Sequence, residues 1–176
     1  MIRHLRSLFS KHENEKHPFN VDDAMSDIAT LLSAEAKRRG INFEILRGPS
    51  NIIVLGDRVE IGLVLTNLVL NAMDAVRDES GDRRSIQILI ERVAHQAVIS
   101  VRDRGHGIGA EQLPKLFQSF YTSKPGGFGL GLSIVRTIVE AHGGRVWAER
   151  GLREGAAFFV ELPIVHGVEI LSTEPT

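Results

Sequence analysis

A chain of 176 residues with 43% hydrophobic and 24% charged residues fits one globular domain and is too short for two of ordinary size. Its 21 basic and 22 acidic side chains give a net charge of -1, which provides no overall field to attract nucleic acid or an anionic membrane. The lack of cysteine excludes disulfides and thiolate metal sites, and no signal-peptide pattern or uninterrupted apolar span is visible.

The N-terminal residues carry a short helical pattern. Apolar side chains recur at helical spacing at Ile2, Leu5, Leu8 and Phe9. We interpret residues 1–17 as the end of a longer helix and a linker, and Met1 inside the pattern suggests that the chain is cut from a longer protein. Beyond Pro18, Asn20 or Asp22 is predicted to cap a helix that Gly40 ends.

The remaining elements follow from apolar spacing and from turn residues. Further helices are predicted at residues 57–79, 110–117 and 130–142, the last closed by Gly143 and Gly144. Strands are predicted at residues 41–46, 52–55, 86–93, 97–101, 145–150 and 156–162. The first two flank a turn at residues 48–50, and the next two are predicted to pair. Residues 118–128 are expected to form an irregular loop, and the tail 166–176 to be loosely held.

Two asparagines interrupt the apolar helix that begins near residue 57. Asn67 and Asn71 are four residues apart and share one face, with Asp74 one turn later and Glu60 two turns earlier. Such side chains often only bond locally to their own helix. The alternative is a polar ridge facing a ligand, where an amide oxygen completes the shell of a hydrated Mg²⁺ bound to phosphate oxygens.

A glycine-rich loop follows the strand at residues 97–101. In the segment Asp103-Arg-Gly-His-Gly-Ile-Gly109, alternating glycines allow close backbone approach, and the carboxylate can accept a hydrogen bond from the exocyclic amine of adenine. A tight turn between strand and helix is the other interpretation. The dinucleotide-binding motif also fits the glycines, but no parallel β-α-β unit or acidic residue about 20 positions later accompanies them. A P-loop is excluded because no Gly-Lys-Ser or Gly-Lys-Thr occurs.

An aromatic and glycine-rich segment precedes the helix predicted at residues 130–142. Phe117 and Phe120 are expected to anchor this segment as a loop. The free N–H groups and the helix dipole at residues 129–132 are predicted to hold phosphates. Lys124 can reach the same phosphates as a point charge.

In this order, the three segments resemble the catalytic domains of sensor histidine kinases, within the group that also includes DNA gyrase, MutL proteins and heat-shock chaperones. TNLVLNAMDAV looks like the asparagine box of that group, DRGHGIG like its first glycine box and LFQSFYTSK like its phenylalanine box. GFGLGLSIVRTIVEAHGG looks like the second glycine box, and EGAAFFVELP like the closing strand. The likeness spans roughly residues 20–163.

The resemblance implies a Bergerat-type α/β fold over residues 18–165, a two-layer sandwich with three main helices on one face of a mixed, mostly antiparallel sheet. It implies ATP and Mg²⁺ as ligands, with Asn71 on the metal and Asp103 on the adenine amine. Residues 118–128 would form a lid over ATP. The other residues that it assigns to the nucleotide site are Asn67, Asp74, Gly105, Gly107, Ile108, Lys124, Gly127, Gly129, Leu130, Gly131 and Leu132.

The residue at position 67 separates the activities within this group. In the ATPases, the residue one turn before the magnesium asparagine is a glutamate that activates water, whereas Asn67 cannot take a proton. Transfer to a histidine needs mostly positioning and charge neutralisation, because the imidazole is itself the nucleophile. The resemblance therefore favours an ATP-dependent protein-histidine kinase with Asn67 and Lys124 as catalytic residues, unless Asp74 or Glu60 reaches the site as a base.

None of the seven histidines fits the phosphoacceptor pattern of these kinases. His142, for example, is predicted at a helix C-terminus, where a cation suits the dipole. The resemblance implies that the acceptor lies on a dimerisation domain of the same kinase, outside this chain, and that a response regulator acts downstream. It also implies that residues 1–17 are the end of the second helix of that dimerisation domain and a linker.

We expect an isolated domain that is monomeric and cytoplasmic, with no contact to nucleic acid or membrane, within a kinase that can itself be membrane-anchored. Two alternatives stay open at this point. One is a nucleotide-binding regulatory module that transfers nothing. The other is an ATPase or serine-directed anti-sigma kinase of the same fold.

Overall fold

A computed structural model of the chain describes residues 16–48, 51–122, 129–151 and 154–165. The predictions for the N-terminal helix, the tail, Lys124 and Gly127 lie outside these described residues. In chain order the elements are β1 (His17–Asn20), α1 (Val21–Arg38), β2 (Asn42–Arg47), β3 (Ile53–Gly56), α2 (Arg58–Ala75), β4 (Ser85–Val93), β5 (Gln96–Asp103), α3 (Gly131–Ala141), β6 (Arg145–Arg150) and β7 (Ala156–Pro163).

Five strands form the main sheet in the order β2-β4-β5-β7-β6. Strand β2 runs parallel to β4, and the other neighbouring strands are antiparallel. Strands β4 and β5 alternate as a half-buried sheet requires, with Ile88, Ile99 and Val101 fully buried on one face. The three helices cover that face and the core lies between the two layers, so the predicted two-layer α/β sandwich is confirmed.

The helix ends follow the local capping residues. The Asn20 side chain accepts a hydrogen bond from Asp22 N at 3.0 Å at the start of α1, and Asp57 accepts from Val59 N at 2.7 Å at the start of α2. Helix α3 ends where Gly143, with φ 71°, turns the chain. There Gly144 N donates to Val139 O at 3.0 Å, which closes the last turn. The predicted starts of α1 and α2 and the glycine ends of α1 and α3 are confirmed.

Two helix predictions are too long. Helix α2 stops at Ala75 rather than near residue 79, because the next N–H groups bond three residues back, as in Arg77 N to Asp74 O at 3.3 Å. The helix predicted at residues 110–117 is only a 3-10 turn at Leu113–Lys115. Pro114 has no N–H to donate, so a regular ladder does not form through this segment.

The pairing of the early strands was not visible in the sequence. Strand β1 had no predicted counterpart, and it forms a two-stranded antiparallel ribbon with β3. The two strands that flank the turn at residues 48–50 lie in different sheets, since β2 pairs with β4. No helix among the described residues is long and apolar enough to cross a membrane.

Candidate functional site

Asp103 ends β5 as a buried carboxyl, with 5% of its surface exposed. Its Oδ1 accepts hydrogen bonds from Gly105 N at 2.9 Å and from Ala156 N at 3.3 Å. Burial raises the pKa of this carboxyl above its ordinary value, although both N–H bonds and the nearby His106 act in the opposite direction. Both of these bonds go to Oδ1, and none to Oδ2 is found among the described residues.

The glycines after Asp103 lie at positions of the loop where an added side chain would have no room. A Cβ added at Gly105 would lie 2.2 Å from the carbonyl oxygen of Ala75 at the end of α2. Gly107 has a φ of 74°, and an added Cβ would lie 3.1 Å from Gly155 O. Ile108 packs against the hydrophobic core. The loop is therefore held between the end of α2 and the turn before β7.

Two residues of this turn were missed by the sequence analysis. Ala156 fixes the Asp103 carboxyl through its N–H, and Gly155, with φ 84°, leaves no space for a Cβ, which would lie 2.1 Å from Asp103 O. The only sequence signal was a glycine directly before the predicted closing strand. The bond from Ala156 N to Asp103 joins residues 53 positions apart.

The asparagine ridge of α2 meets the start of α3. A Cβ added at Gly131 would lie 3.3 Å from Asn67 Oδ1, while Asn67 Nδ2 donates to Leu63 O at 3.0 Å. Asn67 therefore makes the local hydrogen bond within its own helix and also lies beside the start of α3. Asn71 follows one turn later and is half-buried.

Helix α3 begins without a side-chain cap. Its N-cap residue is Leu130, whose side chain makes no capping hydrogen bond. The first N–H groups of a helix have no partner within the helix itself, and an anion can accept from them. An uncapped helix start therefore lies beside the amide of Asn67.

The loop before α3 is closed at its base by backbone contacts. Phe120 N donates to Gly129 O at 2.9 Å, and Gly129, with φ 64°, packs against the Phe120 backbone. The ring of Phe117 packs edge-on against Phe158, with ring centroids 6.4 Å apart, so Phe117 anchors the loop as predicted. The same prediction for the Phe120 ring is wrong, because the residue is 68% exposed. Its backbone is left-handed, with φ 66°.

The two acidic neighbours on α2 have other partners. Asp74 Oδ1 accepts from Arg39 Nη1 at 3.0 Å, an ion pair that joins α1 to α2. Glu60 Oε2 lies 3.9 Å from His142 Nε2. Along α2, Glu60 is two helical turns, or about 10 Å, from Asn67. A part for Asp74 in nucleotide binding stays a prediction.

His142 is buried, and one nitrogen of its ring accepts a hydrogen bond, which a positively charged imidazole cannot do. Its Nε2 accepts from Asp57 N at 2.9 Å, and Nδ1 donates to Ile138 O at 2.8 Å. A backbone N–H can only donate, so Nε2 carries no proton. The expectation of a cation at this helix end is therefore wrong.

Comparison with known proteins decides the family. The family model described as histidine kinase-, DNA gyrase B-, and HSP90-like ATPase matches residues 56–166. The chain belongs to this ATPase family. The matched range contains both asparagines, the Asp103 loop and all of α3, and the resemblance seen in the sequence is confirmed.

Individual members of this ATPase family give the same result. Sensor protein FixL of Bradyrhizobium diazoefficiens is 37% identical over 164 residues, covering 93% of this chain. The catalytic domain of histidine kinase ThkA superposes with a TM-score of 0.76 at 32% identity, covering 85% of this chain and 96% of that one. ThkA in complex with response regulator protein TrrA gives a TM-score of 0.76 at 29% identity, covering 93% and 46%. The chain spans 32% of FixL.

Proposed function

We propose that this chain is the catalytic domain of a two-component sensor histidine kinase. It binds Mg·ATP and passes the γ-phosphoryl group to a histidine on a dimerisation domain of the same kinase. The observation that carries the proposal is the approach of Gly131 to Asn67, which brings an uncapped helix start beside the asparagine ridge.

The adenine end of the proposed site is Asp103. One carboxylate oxygen is fixed by Gly105 and Ala156, so the other has a defined direction before any ligand arrives. A buried carboxylate that accepts from the exocyclic amine of adenine discriminates against a base with a carbonyl at that position. Gly105, Gly107 and Ile108 complete this end in the proposal.

The phosphate end is the start of α3 with the ridge on α2. The N–H groups of residues 129–132 suit phosphate oxygens because no described side chain caps them. Asn71 is the proposed protein ligand of Mg²⁺, and the donor set fits, since this ion keeps water and phosphate oxygens beside one or two protein oxygens. When bound, Mg²⁺ would neutralise charge on the phosphates. Gly127, and Lys124 as a catalytic point charge, are proposed there from the sequence.

Transfer is favoured over hydrolysis by the side chains near this end. Asn67 Nδ2 already donates to Leu63 O, and an amide cannot take a proton from water. Glu60 faces His142 and Asp74 faces Arg39. An incoming imidazole needs no such base because it is itself the nucleophile.

A response regulator is the proposed downstream partner. Among the similar proteins, histidine kinase ThkA forms a complex with the response regulator protein TrrA. The proposal carries that relationship over to this chain as a member of the same family.

The central test is phosphoryl transfer in trans. The full chain, mixed with a dimerisation domain that carries its histidine and with γ-labelled ATP, should yield acid-labile, base-stable label on that histidine. A histidine-to-glutamine acceptor and the Asn71→Asp chain are the controls expected to stay unlabelled. If the chain binds nucleotide and no label is transferred, the regulatory-module alternative replaces the kinase.

The ATPase alternative has its own test at position 67. Asn67→Glu supplies the missing base, and we expect steady-state ATP hydrolysis to rise about tenfold or more, below the full effect of a well-placed general base. Asn67→Gln has the same length without the base and is the matched control. Rapid hydrolysis by the unaltered chain, or phosphoserine on a partner, would favour the ATPase or serine kinase instead.

A further inference from the structure

The buried ring of His142 joins the two helices of the proposed site at the end far from that site. It is the C-cap residue of α3, where its Nδ1 donates to Ile138 O, and it reaches across to Asp57, the N-cap of α2, through Nε2. Its side chain is 1% exposed. Both ring nitrogens are therefore used, one within α3 and one towards α2.

The backbone around the ring is shaped to receive it. A Cβ added at Gly56, the last residue of β3, would lie 2.2 Å from His142 Cδ2. Any other residue at position 56 would push the ring away from Asp57. Lys16 adds an exposed bond to the same helix end, from its Nζ to Ala141 O at 2.5 Å.

The two helices run antiparallel between this bond and the phosphate end. Asp57 meets His142 at one end and Asn67 meets Gly131 at the other. The distance along α2 from Asp57 to Asn67 is ten residue steps, about 15 Å, and along α3 from Gly131 to His142 it is eleven, about 17 Å. The two contacts between the helices are thus nearly the same distance apart on α2 as on α3.

We propose that His142 is a positioning residue that sets the axial position of α3 against α2, and so the distance between the first N–H groups of α3 and the asparagine ridge. The inference rests on the proposed function for its consequence, since phosphates and Mg²⁺ would occupy that gap. A helix transmits an axial shift along its length because its backbone is rigid. Loss of the ring bond should therefore weaken phosphate binding more than adenine binding.

The first experiment compares two affinities in full-chain variants. His142→Leu has a similar volume without hydrogen bonds, whereas the Oε1 of His142→Gln can still accept from Asp57 N. We expect His142→Leu to lower the ratio of Mg·AMPPNP affinity to magnesium-free ADP affinity about tenfold, and His142→Gln to restore most of it. His95→Leu, in the exposed turn between β4 and β5, is the control.

A merely structural role gives a different result. His142→Leu would then lower the thermal midpoint while leaving the affinity ratio unchanged, and this outcome overturns the inference. A ratio that falls equally in His142→Leu and His142→Gln also overturns it, because the acceptor would then be irrelevant.

The second experiment needs no nucleotide and covers failure of His142→Leu to fold. In His142→Asn, whose side chain is too short to replace the bond from Asp57 N to Nε2, the backbone amide signals of Gly131 and Leu132 should shift more than that of Val101, a buried residue of β5. In His142→Gln, which keeps an acceptor for Asp57 N, they should stay near their unaltered positions. Unchanged Gly131 and Leu132 signals in His142→Asn would contradict the positioning role. If the unaltered chain binds neither nucleotide, the proposed function fails, and these amide shifts still decide whether His142 positions α3.

Discussion

At the scale of single residues, Asp103 has two oxygens with different tasks. Oδ1 is held by the N–H groups of Gly105 and Ala156, at 2.9 Å and 3.3 Å. In the proposed function, Oδ2 accepts from adenine. A substitution that keeps the first task and removes the second can therefore separate folding from binding.

Asp103→Asn makes that separation. The amide oxygen can still accept from Gly105 and Ala156, but an NH₂ group replaces the acceptor that faces adenine. We expect nucleotide affinity to fall by about 1.5–3 kcal/mol, tenfold or more, as for a hydrogen bond to a charged group. Isothermal titration calorimetry measures it, with the exposed Asp78→Asn as control. Unchanged affinity in the folded Asp103→Asn chain would remove Asp103 from the site.

The raised pKa of Asp103 predicts opposite effects of pH on stability and on binding. The folded chain holds this proton more tightly than the unfolded chain, so the carboxyl's stabilising contribution is complete below the ordinary aspartate pKa and is lost as the pH rises through the raised value. Nucleotide affinity should instead fall as the pH drops through the raised pKa, because binding needs the ionised carboxylate.

This pH prediction is checked by urea unfolding and nucleotide titration at several pH values. Asp103→Asn does not titrate, so its unfolding free energy relative to the unaltered chain should increase as the pH rises. A difference that stays constant with pH, or that decreases, would contradict the assignment of the raised pKa.

At the scale of elements, helix α2 has a tight contact at its end and a loose one in its middle. Gly105 lies against Ala75 O at the end of α2, where an added Cβ would be 2.2 Å away. Gly62, inside α2, faces Ile28 of α1, where an added Cβ would be 3.7 Å from Cγ2. The same substitution should therefore have opposite effects at the two positions.

Gly105→Ala should lower the free energy of unfolding by about 1–3 kcal/mol, because the backbone of α2 or of the loop must move to admit the methyl group. Gly62→Ala should raise it by up to about 1 kcal/mol, through better helix propensity without a clash. Urea unfolding of both variants measures the difference. Equal effects would show that the close approach of the loop to α2 is not needed for folding.

At the scale of the whole molecule, the large exposed apolar side chains of the described residues are spread over several elements. The most exposed are Leu31 at 69%, Val59 at 80%, Val93 at 54% and Phe120 at 68%, on α1, α2, β4 and the loop before α3. A stable interface buries about 1,200–2,000 Å² in one patch. Val59, Leu63 and Leu70 share one face of α2, but three side chains on one helix face make a smaller patch than such an interface needs.

We therefore expect the isolated chain to be monomeric. Sedimentation velocity over a wide range of protein concentration should give one species with the mass of a single chain. A dimer that persists on dilution would contradict this expectation. It would place a dimer contact within this chain.

Local contacts explain how much of the fold and the site could be predicted from the sequence. Helix starts were predictable because Asn20 and Asp57 bond to N–H groups two residues away. The glycine loop after Asp103 and the helix start at Gly131 are likewise short segments with their own chemistry. Together with the ridge on α2, these segments were enough to indicate the family from the amino-acid sequence alone.

Only the tertiary structure decided which distant residues meet. The bond from Ala156 N to Asp103 spans 53 positions, and that from Asp57 N to His142 spans 85. The ribbon of β1 with β3 and the neutral ring of His142 likewise depend on contacts between residues that are far apart in the sequence. Capping and helical spacing act within one turn of the chain, so the sequence by itself determined the motifs and most of the helices and strands, but not β1 or the short 3-10 turn at Leu113–Lys115. Burial and long-range hydrogen bonds exist only after folding, and they decided the state and orientation of the side chains.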